Sequence, residues 1–421
     1  MAGTRVSDVL RARHGVGVRR LFPGPVGYLS LLRSPFVLRL LAGTLIGRLP
    51  TGMGLLAVPL VLRHARASYG LVGLASGALA ISAAVGGPLL GRLVDRIGQP
   101  RVLLPTAVLA GGGFLLIGAA PHSPPVVLTG AVLAGAATPP LEPCLRVLWP
   151  HIVAPDLVEK AYAMDSGAQE LIFIGAPLIV TGMVALASPA SALWLAALLG
   201  LLGVLVVATA PPSRNYRAPE RSADWLGPLR SRGLVVLFAG LIGTGGAIGS
   251  LNVLVVRYAE QHRVPAGAGG LLALNAAGAL CGAVGYGLIR WTMSMRARAL
   301  LLAAGLMTSY AMVGLRPAPS AMAVLMVVTG LFLAPMLTVS FVLVDRLAPP
   351  GTITEAFAWL VTVFTTGSAV GAAVVGVLLD RAAPVWASSC GGIATAATVV
   401  VLLVGRRTLV GGEAAAVEPA G

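Results

Sequence analysis

The chain has 421 residues, 57% hydrophobic and 11% charged, with a mean hydropathy of +0.90 and a formal charge of +15. A water-soluble domain of this size needs far more charge on its surface, so the composition excludes one and points to a membrane protein. Beta-barrel strands alternate polar and apolar residues in short segments, and the long unbroken apolar runs here exclude that architecture too.

A helix crosses the hydrocarbon with about 20 apolar residues, and twelve runs qualify. In chain order they are spans 1 to 12: residues 36–62, 69–91, 102–120, 125–149, 161–187, 191–210, 233–257, 268–290, 299–316, 320–344, 354–379 and 384–405. With the N-terminus in the cytoplasm, 21 of the 30 basic residues fall inside and 6 outside, while Arg39, Arg48 and Arg146 lie within spans. Basic residues orient membrane proteins by staying cytoplasmic, so both termini are expected there. The charge is then a topology signal whose partner is anionic headgroups, not nucleic acid. A full span follows the Arg-rich start, so no cleavable leader is expected. Trp149, Trp194, Trp225, Trp291 and Trp386 fall at or beyond span ends, as interfacial anchors do. Cys144, Cys281 and Cys390 lie within spans, read as small buried apolar residues without disulfides.

Span 1 carries Arg48 near its centre, followed by Pro50, Gly52 and Gly54. Span 4 carries Glu142 and Arg146, four apart and so on one face. Span 5 carries Asp165 and Glu170, about 140° apart on a helix, with Gln169 sharing the face of Asp165. A charge in hydrocarbon costs roughly 2.5 to 3.5 kcal/mol on an insertion scale, so each needs a partner or a cavity. At about 1.5 Å per residue, Arg48, Glu142 and Glu170 fall within roughly 8 Å of the bilayer centre, on its cytoplasmic side. Arg48 is therefore expected within ion-pair reach of Glu142 or Glu170. Two readings stay open. Glu142 or Glu170 carries a proton with Arg48 tuning its affinity, or the charges lock spans 1, 4 and 5 together. Arg146 and Asp165, nearer the cytoplasmic end, read as structural or gating charges. Pro50, Pro143, Pro177 and Pro335 are expected to interrupt their helices.

The polar stretch 211–231 separates six spans from six. Shifted by 195 positions, Gly135 meets Gly330, Pro140 meets Pro335 and Pro155 meets Pro350; shifted by 197, Gly43 meets Gly240. The chain therefore reads as all-α, with a basic tail 1–35, a six-helix bundle 36–210, a linker 211–231, a second bundle 232–405 and a tail 406–421, the bundles pseudo-symmetric about a midplane site. The second half has no charge near mid-span, and its site candidates are Asn252, Asn275 and Trp359.

Between spans 2 and 3 stands GRLVDRIGQPR, residues 91–101. Gly91 allows close helix contact, Gly98 a tight turn, and Asp95 suits a basic neighbour or a helix N-terminus. With Arg96 and Arg101 in place, this segment resembles motif A of the major facilitator superfamily, although Gln99 and Pro100 stand where that pattern often has further basic residues. The segments TPPLEPCLRVLWP and YAMDSGAQELIFIGAP are similar to those of uncharacterised actinobacterial members. The resemblance implies twelve helices in two bundles, spans 1, 4, 7 and 10 around a cavity, and motif A as a gating latch. FIGAPLIVTG in span 5 loosely resembles the glycine and proline pattern of antiporters, which implies export.

The only lysine is Lys160, so no ATP-binding Walker loop is present. The five histidines are assigned to loops or tails, which argues against a membrane enzyme and a metal site; no cofactor is expected. The resulting expectation is a monomeric secondary transporter in a bacterial cytoplasmic membrane, exchanging protons for a fairly apolar drug-like compound or metabolite by alternating access. Proton-coupled uptake of a nutrient is the alternative, and a sensor or lipid-flipping protein the alternative of another class.

Overall fold

The structure is a computed structural model that describes residues 26–220, 226–264, 267–289, 291–381 and 383–409. Most of the basic tail, Trp225, Arg290 and the C-terminal tail from 410 lie outside the described residues. Twelve membrane-crossing helical spans are present: Val37–His64, Gly70–Ile97, Gln99–Ala119, Pro124–Ile152, Pro155–Leu186, Pro189–Ala208, Arg232–His262, Gly267–Leu288, Met295–Gly314, Pro319–Leu347, Ile353–Asp380 and Val385–Val404. Large apolar side chains such as Ile81, Leu178 and Val400 point outward, as they do where the solvent is lipid. A short helix, Val26–Arg33, lies within the stretch read as a tail. Its Tyr28 hydroxyl donates toward the Ala283 and Val284 carbonyls of span 8.

Span 4 is the one span split into two α-helices, Pro124–Ala136 and Leu141–Ile152, with Ala137 to Pro140 between them. The adjacent Pro139 and Pro140 remove two successive N–H donors, and each disfavours helical geometry in the residue before it. Pro143 does not cause the break; it sits in the first turn of the second segment, where N–H groups have no intrahelical partner. Pro50, Pro177 and Pro335 lie inside continuous helices.

The repeat is visible as equivalent close approaches. A Cβ on Gly135 would lie 2.3 Å from the Leu79 carbonyl oxygen, and one on Gly330 would lie 2.0 Å from that of Asn275. Gly86 against Ala136 is matched by Gly282 against Leu331. Spans 2 and 4 thus touch backbone to backbone as spans 8 and 10 do, which only glycine permits.

The halves meet on the side that carries both ends of the described chain, called here the terminus side. There span 2 packs on span 11, and span 5 on spans 8 and 10, through contacts such as Gly91 on Thr354 and Gly167 on Ala283. Toward the other side, Gly73, Gly77, Gly175, Gly182 and Gly376 of the same spans meet nothing within 4 Å of an added Cβ. The contacts between the halves thus lie on the terminus side, and these glycines make none toward the opposite one, called here the parted side.

Gly135→Val should force spans 2 and 4 apart and destabilise the protein by about 1–3 kcal/mol, the usual cost of overpacking. Gly77→Ala, with open space around it, should leave thermal unfolding in detergent unchanged.

Candidate functional site

The break in span 4 places Glu142 in the first turn of a half-helix, where the N-terminal end of the helix dipole favours a negative charge. Its two carboxylate oxygens contact two guanidinium groups, Arg48 of span 1 and Arg146 one turn further along span 4. Arg146 in turn donates through Nε to Asp165 Oδ2 of span 5 at 2.8 Å. The result is a linear chain, Arg48, Glu142, Arg146, Asp165, with two positive and two negative charges. It is graded in exposure: the Arg48 and Glu142 side chains are 16% and 10% exposed, those of Arg146 and Asp165 0% and 2%. The first pair is partly exposed and the second is sealed.

Arg146 and Asp165, read from sequence as separate from the Arg48 group, are its inner half. Glu170 is not part of the chain and has no ion pair or hydrogen bond among the described residues. The helical offset explains this: Asp165 faces spans 1 and 4, whereas Glu170 lies one turn beyond Ser166 and Gly167, which contact spans 10 and 8. Gln169 keeps a buried Nε2 without a partner.

The sealed end is covered by the other half. The Phe341 ring of span 10 lies over the Arg146 guanidinium, 3.5 Å from its carbon to the ring centroid, and Phe357 of span 11 stands at 5.9 Å. Tyr162 of span 5 completes the cluster, with centroids 6.2 Å from Phe341 and 6.1 Å from Phe357, and donates to the Arg146 carbonyl at 3.3 Å. Aromatic faces attract a guanidinium without competing for its hydrogen bonds.

The 91–101 segment packs against span 11 on the same side. Asp95 accepts from the backbone N–H groups of Thr354 at 3.2 Å and Glu355 at 3.0 Å, and so caps the start of span 11. Gly91 lets the helices approach: an added Cβ would lie 3.0 Å from Glu355 Cα and Ala358 Cβ. Gly98 takes φ +91°, in the region that favours glycine. Arg96 and Arg101 are exposed. Gln99, noted as a departure, is fully buried and donates to the Cys144 carbonyl at 3.0 Å, tying the loop to the second half of span 4.

Three residues of a second latch escaped the sequence reading. Arg298 of span 9 pairs with Glu159 at the start of span 5, and Tyr286 donates to the same carboxylate at 2.7 Å. Their signal was the repeat itself, because the link around Gly287 to Arg298 occupies the position of motif A. Of the second-half candidates, Asn275 spends its amide on the Met326 carbonyl and Thr329 Oγ1, a tie between spans 8 and 10. Asn252 is exposed and Trp359 packs half-buried against the core. Trp149 is fully buried, not interfacial, because the second segment of span 4 runs inside the bundle; Cys281 is exposed on span 8. His64, His151 and His262 belong to the last turns of helices, not to loops.

Comparison with known proteins matches residues 40–358 to the family described as Major Facilitator Superfamily. An uncharacterized MFS-type transporter of Sinorhizobium fredii is 29% identical over 177 residues, 41% of this chain and 44% of that protein, so the match spans less than half of its length. Among solved structures, a bacterial homologue of the iron transporter ferroportin in an outward-facing state superposes with a TM-score of 0.74, 13% identity, and 88% of this chain on 99% of that one. The human organic anion transporter MFSD10 gives 0.70 at 14% identity, over 88% and 98% of the two chains.

Glu142→Gln should destabilise the protein by about 3–5 kcal/mol, because two buried arginines lose a shared partner. Arg48→Leu with Glu142→Leu should cost clearly less than the sum of the single changes in a thermal-unfolding cycle. An additive cycle would mean that the two side chains are not coupled.

Proposed function

The chain belongs to the major facilitator superfamily and is a multi-pass membrane transporter, not an enzyme; on that premise we propose that it exports a small, fairly apolar molecule in exchange for protons. The observation that carries this reading is the contrast between two kinds of intramembrane carboxylate. Glu142 and Asp165 belong to a chain whose charges cancel. Glu170 has no counter-charge, and it stands on the face of span 5 that turns to the second half.

An uncompensated carboxylate in a low-dielectric site is stable when it holds a proton or a cationic group, and hydration is its other outlet. Such a group exchanges protons with whichever side has water. Glu170 is the proton carrier in this reading, and Glu142, at the wetter end of the chain, is the second exchange site. With the termini cytoplasmic, as the distribution of basic residues argues, the parted side faces outward, where an exporter releases its substrate and takes up a proton. The loose antiporter pattern around Gly175, Pro177 and Gly182 favours the same direction.

Once a transported compound has been found by screening, its flux in proteoliposomes under imposed pH gradients of either sign tests the reading. Outward substrate movement should accelerate when protons run inward and fall when the gradient is collapsed. Glu170→Gln should abolish that acceleration. Flux indifferent to the gradient overturns antiport, and substrate moving with the protons identifies uptake instead.

A further inference from the structure

We propose that the stack of Phe341 on Arg146 is a charge-sensing gate: it holds the terminus side shut only while both carboxylates bound to Arg146 are ionised, and protonating either one releases it. The inference rests on the proton-coupled reading above and extends it to a specific contact between the halves.

Arg146 is fully buried and carries a full positive charge at every physiological pH. Glu142 and Asp165 supply the negative charge, Arg48 shares Glu142, and Phe341 and Phe357 supply π faces from the second half. Tyr162 is neutral, and its hydroxyl reaches both the Arg146 carbonyl and the Asp345 carboxylate of the second half. Beyond it stands Asp345 of span 10, one turn after Phe341, with His151 and Arg346 nearby. No other charge faces the guanidinium among the described residues.

With both carboxylates ionised, the chain is neutral and the dry aromatic lid costs it little. When one takes a proton, the chain carries a net positive charge in a site without water. A cation–π contact is weaker than the ion pair it would have to replace. Hydration is the remaining way to stabilise the charge, and it requires the ring to leave. Phe341 and Phe357 belong to the second half while Arg146 belongs to the first, so their separation is the rocking of the halves. Protonation of Glu142, the more exposed of the two carboxylates, therefore favours opening on the terminus side. There water enters and the proton departs. The direction of this link is the one an exchanger needs.

The test needs no substrate. The full chain, with Cys281 and Cys390 replaced by serine, is spin-labelled at Asp156→Cys and Arg407→Cys, exposed positions on the terminus side of the first and second halves. Pulsed dipolar distances are then measured in nanodiscs. Asp165→Asn, which leaves the chain with one unmatched positive charge, should shift the distribution to longer distances at neutral pH. Arg146→Gln added to Asp165→Asn restores neutrality and should return it to the short, closed distance. Simple loosening of the core predicts the opposite, a further lengthening in the double variant, and that result overturns the gate. So does an Asp165→Asn distribution equal to that of the parent. Should the variants fail to fold, the parent protein decides: acidification should build up the longer population, and a distribution unchanged down to the onset of unfolding overturns the proposal. A closed Asp165→Asn protein beside gradient-driven flux would sink the gate and spare antiport. An open one beside flux indifferent to pH would do the reverse.

Discussion

A charge inside a membrane must be matched where it lies, and most of the first half can be understood as the consequence. Arg48 and Arg146 could not be carried by spans 1 and 4 unless Glu142 and Asp165 stood at the same depth. That requirement fixes the rotation of three helices about their axes. Glu142 must turn toward span 1, Asp165 toward span 4, and Glu170, bound to Asp165 by helical geometry, must therefore turn elsewhere. The unpartnered carboxylate on the seam is a by-product of satisfying the chain.

The same site is where the internal repeat fails. Pro140 and Pro335 occupy equivalent positions, and the glycine contacts around them are preserved in both halves. Only the first half adds Pro139, and only there does the helix break. The break exposes a helix N-terminus at the depth of the charges and sets Glu142 on it. The second half keeps a continuous span 10 and brings Phe341 instead, so one half supplies the ionisable groups and the other the aromatic cover. Division of labour between repeats is what allows a rigid-body motion to change the environment of a charge without changing the charge's own bonds.

The spans and the repeat were legible because a hydrocarbon solvent demands long apolar runs, and nothing in a folded interior can imitate their length. The meeting of Arg48 with Glu142 was legible for a related reason: depth along a helix is countable, and few partners exist at a given depth. Rotational and inter-half information was not countable in this way. Nothing in a local window says that Gln99 turns inward to Cys144, that Asp95 caps span 11, or that Glu159 finds Arg298. Glu142 and Glu170 stood level in sequence, and only the packing of span 5 against spans 8 and 10 separated them. Pro143 and Pro139 were likewise indistinguishable as helix breakers until the register of the second segment was known.

The two latches on the terminus side differ in a way that bears on how the molecule opens. At span 11 the Asp95 carboxylate is held by backbone N–H groups, donors whose strength does not vary with pH. At span 5 the Glu159 carboxylate is held by Arg298 and Tyr286, side chains near the membrane surface, where salt and water weaken such pairs. Neither latch is as fully enclosed as the chain under Phe341. Latches of this kind set how stable the closed side is, but they cannot sense what happens at mid-membrane. In the proposed gate a buried charge of the first half is covered by the second, so that a change of one proton alters the cost of staying dry.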